Sequence, residues 1–299
     1  MNTSLIFCKN QIDQMLLRSQ TKIIFPLITL GLLKSYSANK KDLFSDNEIK
    51  NLYQETVIDM KKFLGHDLHI GGKYYDAYPS RNLPKYSVLK VLGNKQYQLL
   101  DEFKDSANEL TIWIPAKIKD FISEKMTNIP ELGSRNFRMK TSESQSKFIE
   151  IIRNNIDRNP VNFEIFSFAI IKVHLEKFAC KIYRDTRTSA HDAGVDISTN
   201  FGVVYQIKKL RIVNKKTAES IYEELRSNFD KERLEDGKVV LVIDDVSETI
   251  KNYLIDIKVQ YINKKDLICL AEQIDGVEDR EKVLRIIYEE FRREYASVI

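Results

Sequence analysis

The sequence predicts an α/β protein, a mixed sheet flanked by helices, with an N-terminal α+β region ahead of it. From residue 146 onward, helix, three strands, helix, strand, helix and strand follow one another, an order that builds a sheet with helices packed on it. Before that point the pattern is one of helices and a single hairpin. The 299 residues are 43% hydrophobic with only 10 Gly and 6 Pro, enough for a proper core, and they exclude collagen-like, linker-like and fibrous classes. No internal repeat is found.

In the first half, residues 5–35 carry apolar side chains for one or two buried helices. Their longest apolar stretch, residues 23–33, is about half the ~20 residues a membrane-spanning helix needs, so it reads as a core helix. Asp46 opens a helix that runs through Lys62 to a stop at Gly65, with Ile49, Leu52, Val57, Met60 and Phe63 along one face. A loop rich in Gly, His and Tyr follows over residues 66–84. Residues 85–92 and 95–100 then alternate and meet at Gly93-Asn94, a hairpin signal. Residues 111–114 read as a short strand and 118–126 as a short helix. Residues 129–146 are polar and basic without a clear period, and the domain boundary is expected there, dividing 1–145 from 146–299.

The second half is the more regular. Helices are expected over 148–156 and 161–177, the latter apolar on nearly every side and therefore buried. Strands follow over 179–183, 194–198 and 203–210, then a helix over 217–230, a very apolar strand over 238–243 and a short helix after Ser247. A strand over 257–262, a helix from Lys264 and a charged amphipathic helix over 278–295 complete the chain.

The 47 Lys+Arg against 43 Asp+Glu give a formal charge of +4, so the distribution of charge says more about partners than its sum. Cys8, Cys180 and Cys269 are too few and too scattered for a disulfide framework or a CxxC metal site, and read as reduced thiols of a cytosolic protein. No Gly-rich phosphate loop follows a strand, which disfavours a nucleotide-binding α/β protein.

The informative stretch is His191-Asp192-Ala193-Gly194-Val195-Asp196-Ile197-Ser198, a turn, and Gly202-Val203-Val204-Tyr205-Gln206-Ile207-Lys208-Lys209. Polar residues interrupt two apolar strands. Side chains alternate along a strand, so Gln206 and Lys208 share one face and Val203, Tyr205 and Ile207 the other. An antiparallel hairpin centred on Phe201 sets Asp196 opposite Gln206, beside the apolar helix that carries Glu164. The Asp196 carboxylate, the Gln206 side-chain carbonyl and the Ile207 backbone carbonyl are hard oxygen donors of the kind Mg²⁺ accepts, with Glu164 for a second ion or a water. Lys208 suits stabilisation of an attacking hydroxide or of charge on a phosphorane. Such a cluster is fitted to phosphodiester hydrolysis.

Gly-Val-Asp-Ile followed by Gln-Ile-Lys resembles the PD-(D/E)XK nuclease superfamily, in which an aspartate on one strand precedes (Glu/Asp/Gln)-x-Lys on the next. The order of elements over residues 160–270 matches that core as well. The run from Thr188 to Asp196 with Asn200-Phe201-Gly202 looks most like the HaeII-type restriction enzymes. Gln206 stands where an acid is usual, and Val195 where the pattern has proline. The resemblance implies a Mg²⁺-dependent type II restriction endonuclease with Asp196, Gln206, Lys208 and Glu164 as its site. It further implies a cytoplasmic homodimer that cuts a short palindrome in double-stranded DNA, and a companion DNA methyltransferase that protects the host. A transposase-like or repair nuclease of the same fold, and an inactive DNA-binding or assembly protein in which Gln206 marks decay, are the alternatives.

Each residue also has a plainer reading. Asp196, Gln206 and Lys208 as the solvated face of an edge hairpin would serve only against aggregation. Glu164 in the first turn of its helix is favoured there by the helix dipole, and Asp192 suits the turn before Gly194. His66, Asp67 and His69 make a weak zinc signal without a third strong ligand. Tyr74, Tyr75 and Tyr78 with Lys73 and Arg81 suit stacking and phosphate contacts, or packing. Arg135, Asn136, Arg138 and Lys140 combine the side chains that read guanine and adenine edges, and are the first expectation for a DNA contact. Lys209 and Arg211, with Lys215 and Lys216, place positive charge beside the site for phosphate.

Overall fold

The computed structural model describes residues 3–18, 23–68, 87–184 and 195–297. They fall into two compact units, Met1–Asn128 with Phe291–Ile299, and Ile129–Glu290. The division comes earlier than the expected 145/146.

The N-terminal unit runs through helices α1 (Thr3–Arg18) and α2 (Ile24–Asn39), strand β1 (Leu43–Ser45), α3 (Asp46–Leu64), β2 (Asp67–Leu68), the hairpin β3 (Leu89–Gly93) and β4 (Gln96–Leu99), the single turn α4 (Asp101–Lys104) and α5 (Ala107–Met126). Helix α3 starts where it does because Ser45 and Glu48 cap each other's backbone amides. It stops at Gly65, whose φ of 76° lies in the left-handed region. Ile49 and Met60 join Leu27, Leu30 and Leu33 of α2 in the core, whereas Phe63 is half exposed. The hairpin turns at Asn94-Lys95, both at positive φ, one residue beyond the expected position.

Residues 111–114 are helical, not a strand. Leu110, Ile114, Ile118, Phe121 and Ile122 are buried at helical spacing, and Ile112, which strand alternation would turn inward with Leu110 and Ile114, is 80% exposed. The helix passes through Pro115, the residue that separates the two pieces in the sequence reading.

The C-terminal unit opens with a 3-10 turn at Pro130–Gly133 and continues with α6 (Arg135–Glu143), α7 (Gln145–Asn155) and α8 (Pro160–Glu176). Next come β5 (Ile182–Arg184), β6 (Ile197–Thr199), β7 (Val204–Ile212), α9 (Lys215–Asn228), α10 (Lys231–Glu235) and β8 (Val239–Val246). Helix α11 (Glu248–Asp256), β9 (Gln260–Asn263), α12 (Lys264–Glu272) and α13 (Val277–Tyr295) follow; from Phe291 the chain belongs to the N-terminal unit again, where β10 (Ala296–Ser297) pairs with β2 of that same unit. Segment 135–143, aperiodic by sequence, is a helix capped by Ser134. It belongs to this unit because Arg138 donates to Glu281 Oε1 (2.7 Å) and the Leu132 carbonyl (2.6 Å), and Arg280 donates to the Ser142 carbonyl (2.7 Å).

The sheet has the order β5-β6-β7-β8-β9. Strands β5, β6 and β7 pair antiparallel and β7, β8 and β9 parallel, the mixed α/β core expected. Val204, Val239, Leu241 and Ile243 pack with Ala218, Ile221 and Leu225 of α9 and Ile250 and Leu254 of α11. Helix α8 is capped by Asn159 and buried along most of its length.

Candidate active site

The β6–β7 hairpin sets up the site. Ile197 pairs with Tyr205 and Ser198 with Val204, so the hairpin centres on Phe201, and continuing the register by one residue puts Asp196 opposite Gln206. Gly202 at φ +78° makes the turn possible, and Thr199 holds it by donating its hydroxyl to the Val203 carbonyl at 2.8 Å.

Asp196 lies just before β6. Its Oδ2 accepts the Ile207 amide at 2.6 Å, which fixes the carboxylate against β7. In a strand the N–H and C=O of one residue point to the same side, so the Ile207 carbonyl faces the edge where Asp196 sits. Gln206 and Lys208 point with Val204 toward α9. There Glu224 accepts the Lys208 ammonium and stands 3.4 Å from Gln206 Nε2. Gln206 is only 4% exposed, and its Oε1 is buried without a hydrogen-bond partner. A buried amide oxygen left in that condition is costly.

Sequence reasoning missed Glu224. The available signal was that Glu224 lies three residues after Ile221 and beside Leu225, flanking the stripe that packs on the sheet.

Glu164 is engaged elsewhere. Its Oε1 accepts from Arg184 Nε (3.0 Å) and Nη2 (2.7 Å), and Arg184 Nη1 reaches Glu290 Oε2 at 2.9 Å. The Arg184 side chain is 1% exposed. The structure thus places Glu164 in an ion triad that ties α8, β5 and α13 together. It records no bond from Glu164 to Asp196, Gln206 or Lys208.

Among the basic residues, Arg138 is buried in its bonds to Glu281 and Leu132, whereas Arg135, Asn136 and Lys140 are exposed on α6. Lys209 pairs with Asp157 (3.2 Å), which also takes Lys264 (2.8 Å), and Lys264 reaches Asp244 (2.8 Å). The hydrogen bond from Lys264 holds the Asp157 carboxyl below its ordinary value despite partial burial. Burial would lower Lys264, but its bonds to Asp157 and Asp244 outweigh that and raise it. Arg211, largely exposed, pairs with Asp245 at 3.0 Å. His191 and Asp192, His69, and Lys73, Tyr74, Tyr75, Tyr78 and Arg81 lie outside the described residues.

The HaeII restriction endonuclease family matches residues 149–290. Over this segment, just under half of the chain, the protein is similar to the HaeII restriction endonucleases, and the similarity implies a site-specific deoxyribonuclease. The match spans every strand of the five-stranded sheet and all of Asp196, Gln206, Lys208 and Glu224. No curated protein matches the chain.

Among the described residues, no three His, Cys, Asp or Glu side chains cluster to hold a metal ion. A cation held by this hairpin would therefore have fewer than three such side chains and take neutral oxygens for the rest. The orphaned Gln206 Oε1 fits that requirement, because a hard cation that keeps several waters and takes a substrate phosphate needs few protein ligands.

Proposed function

We propose that the protein is a type II restriction endonuclease that hydrolyses DNA phosphodiester bonds at a short, palindromic site with Mg²⁺. The buried, unpartnered Gln206 Oε1, on the face that also carries Lys208, supports this reading most directly. In it, Asp196, Gln206 Oε1 and the Ile207 carbonyl hold the Mg²⁺. When bound, the ion supplies a more acidic water and neutralises charge on the scissile phosphate.

The chain's own groups do the rest. The Ile207 amide holds Asp196 in one orientation. Lys208 places an ammonium beside the phosphate to stabilise charge that develops there. Glu164, proposed from sequence as a further ligand, acts here through Arg184 as an anchor of β5, the strand that pairs with β6.

Arg135, Asn136 and Lys140 are the proposed base and phosphate contacts of α6, and Arg211 and Lys209 reach phosphate by exchanging their carboxylate partners. The N-terminal unit assists recognition. A two-fold site calls for a two-fold enzyme, hence a homodimer, and a methyltransferase of the same specificity protects the host DNA. Among the described residues no helix is long and apolar enough to cross a membrane, and the proposed place of action is the cytoplasm.

Digestion of a long, fully sequenced, unmethylated DNA with Mg²⁺ or with EDTA tests this. Discrete fragments that need Mg²⁺ and whose ends share a short symmetric sequence are expected. DNA that is bound but not cut would overturn the reading in favour of an inactive DNA-binding protein.

A further inference from the structure

We infer that Glu224 supplies the acid that strand β7 lacks, as the second carboxylate of the cation site. The inference rests on the reading of Asp196, Gln206 and Lys208 given above and adds a residue from α9 to it.

The contacts at this position are specific. Glu224 touches the two β7 side chains of the Gln-x-Lys motif: the Lys208 ammonium binds both of its oxygens, and Gln206 Nε2 lies at 3.4 Å from Oε1. Because the Gln206 amide turns its NH₂ toward this carboxylate, its Oε1 points away from Glu224, into the buried position where it has no partner. Glu224 therefore orients the side-chain amide ligand of the site. Glu224 beside the Gln206 amide, with Asp196 opposite Gln206 across the hairpin, brings three residues with hard oxygen donors to one place.

Charge explains why residue 206 is glutamine. With Glu224 counted, the site holds Asp196 and Glu224 against Lys208, two negative charges and one positive. A glutamate at 206 would set a second carboxylate within hydrogen-bond distance of Glu224, and like charges so placed destabilise one another. One acid fits at this point of the site, on the helix or on the strand. In this protein it is on the helix, 16 residues after Lys208 by their numbers, and α9 brings it back because its apolar stripe docks on Val204 and Leu241.

Binding of Mn²⁺ to the full chain, followed by electron paramagnetic resonance without DNA, reads the site independently of cleavage. Glu224 is 45% exposed on its helix, so Glu224→Gln leaves the fold intact by circular dichroism. It should weaken Mn²⁺ by about tenfold or more, the scale on which groups at and around a metal act. Lys208→Ala, which releases Glu224 from its ion pair, should hold or tighten Mn²⁺. The double variant Gln206→Glu with Glu224→Gln moves the acid to the strand and should recover most of the loss. Wild-type affinity in Glu224→Gln, or no recovery in the double variant, overturns the assignment of Glu224 while Asp196→Ala still loses Mn²⁺. If Asp196→Ala also binds like the wild type, the site reading falls with it.

Discussion

Two charged clusters of the C-terminal unit are built from similar residues and differ in how their atoms are partnered. In the Arg184 cluster, the guanidinium spends three of its donors on Glu164 and Glu290, and its side chain is 1% exposed. In the hairpin cluster, Lys208 and Glu224 pair at the rim, Asp196 spends one oxygen on a backbone amide, and Gln206 Oε1 is buried with no partner. The first arrangement closes a scaffold. The second leaves a buried acceptor without a partner, at a cost in stability.

The comparison is sharpest in cleavage. Lys208→Ala should reduce the cleavage rate by about 10²-fold or more, the effect of removing one preorganised charge-stabilising group, with an unchanged melting temperature. A rate within threefold of the wild type would break the distinction between the clusters. Arg184→Ala should do the opposite. Removing one partner of a buried ion pair costs about 3–5 kcal/mol because the others remain buried and charged, so its urea midpoint should fall steeply. Glu164→Gln should follow Arg184→Ala in kind, with a smaller loss. A Glu164→Gln protein of wild-type stability that no longer cuts DNA would move Glu164 back into the catalytic set.

The smallest effect concerns the surface network of Lys209, Asp157, Lys264 and Asp244. The Asp157 carboxyl titrates below its ordinary value of 3.8, chiefly through Lys264. Its contribution to stability is therefore present above that pH and is lost as pH falls through the depressed value. Asp157→Asn should melt slightly below the wild type at neutral pH, and the difference should shrink below pH 3.8. A difference that grows with acid would reverse the sign of this ion network.

The sequence carries the hairpin register because alternation and Gly202 leave few ways to pair Asp196 with Gln206. It carries the helices that begin with caps, such as Ser45 with Glu48. It misleads at residues 111–114, where a β-branched and aromatic run lies across a helix whose buried period is set by its neighbours. Arg138 looks like a DNA contact in a basic segment, and only packing shows that it is bonded to Glu281 and Leu132. Glu224 was missed although its spacing from Ile221 and Leu225 sets it beside the buried stripe of α9, because that spacing gives the face of the helix and not the strand residues the face meets.

The bond from the Ile207 amide to Asp196 Oδ2 has a structural side as well. Strand β6 is three residues long, and Asp196 uses its side chain to take the amide that a longer strand would have met with a backbone carbonyl. The carboxylate is thus a hem on the sheet, closing a ladder that would otherwise fray into the site. Alanine at this position unpicks the hem and removes the charge together. Asparagine keeps the stitch and removes only the charge, which makes it the cleaner substitution for separating architecture from chemistry.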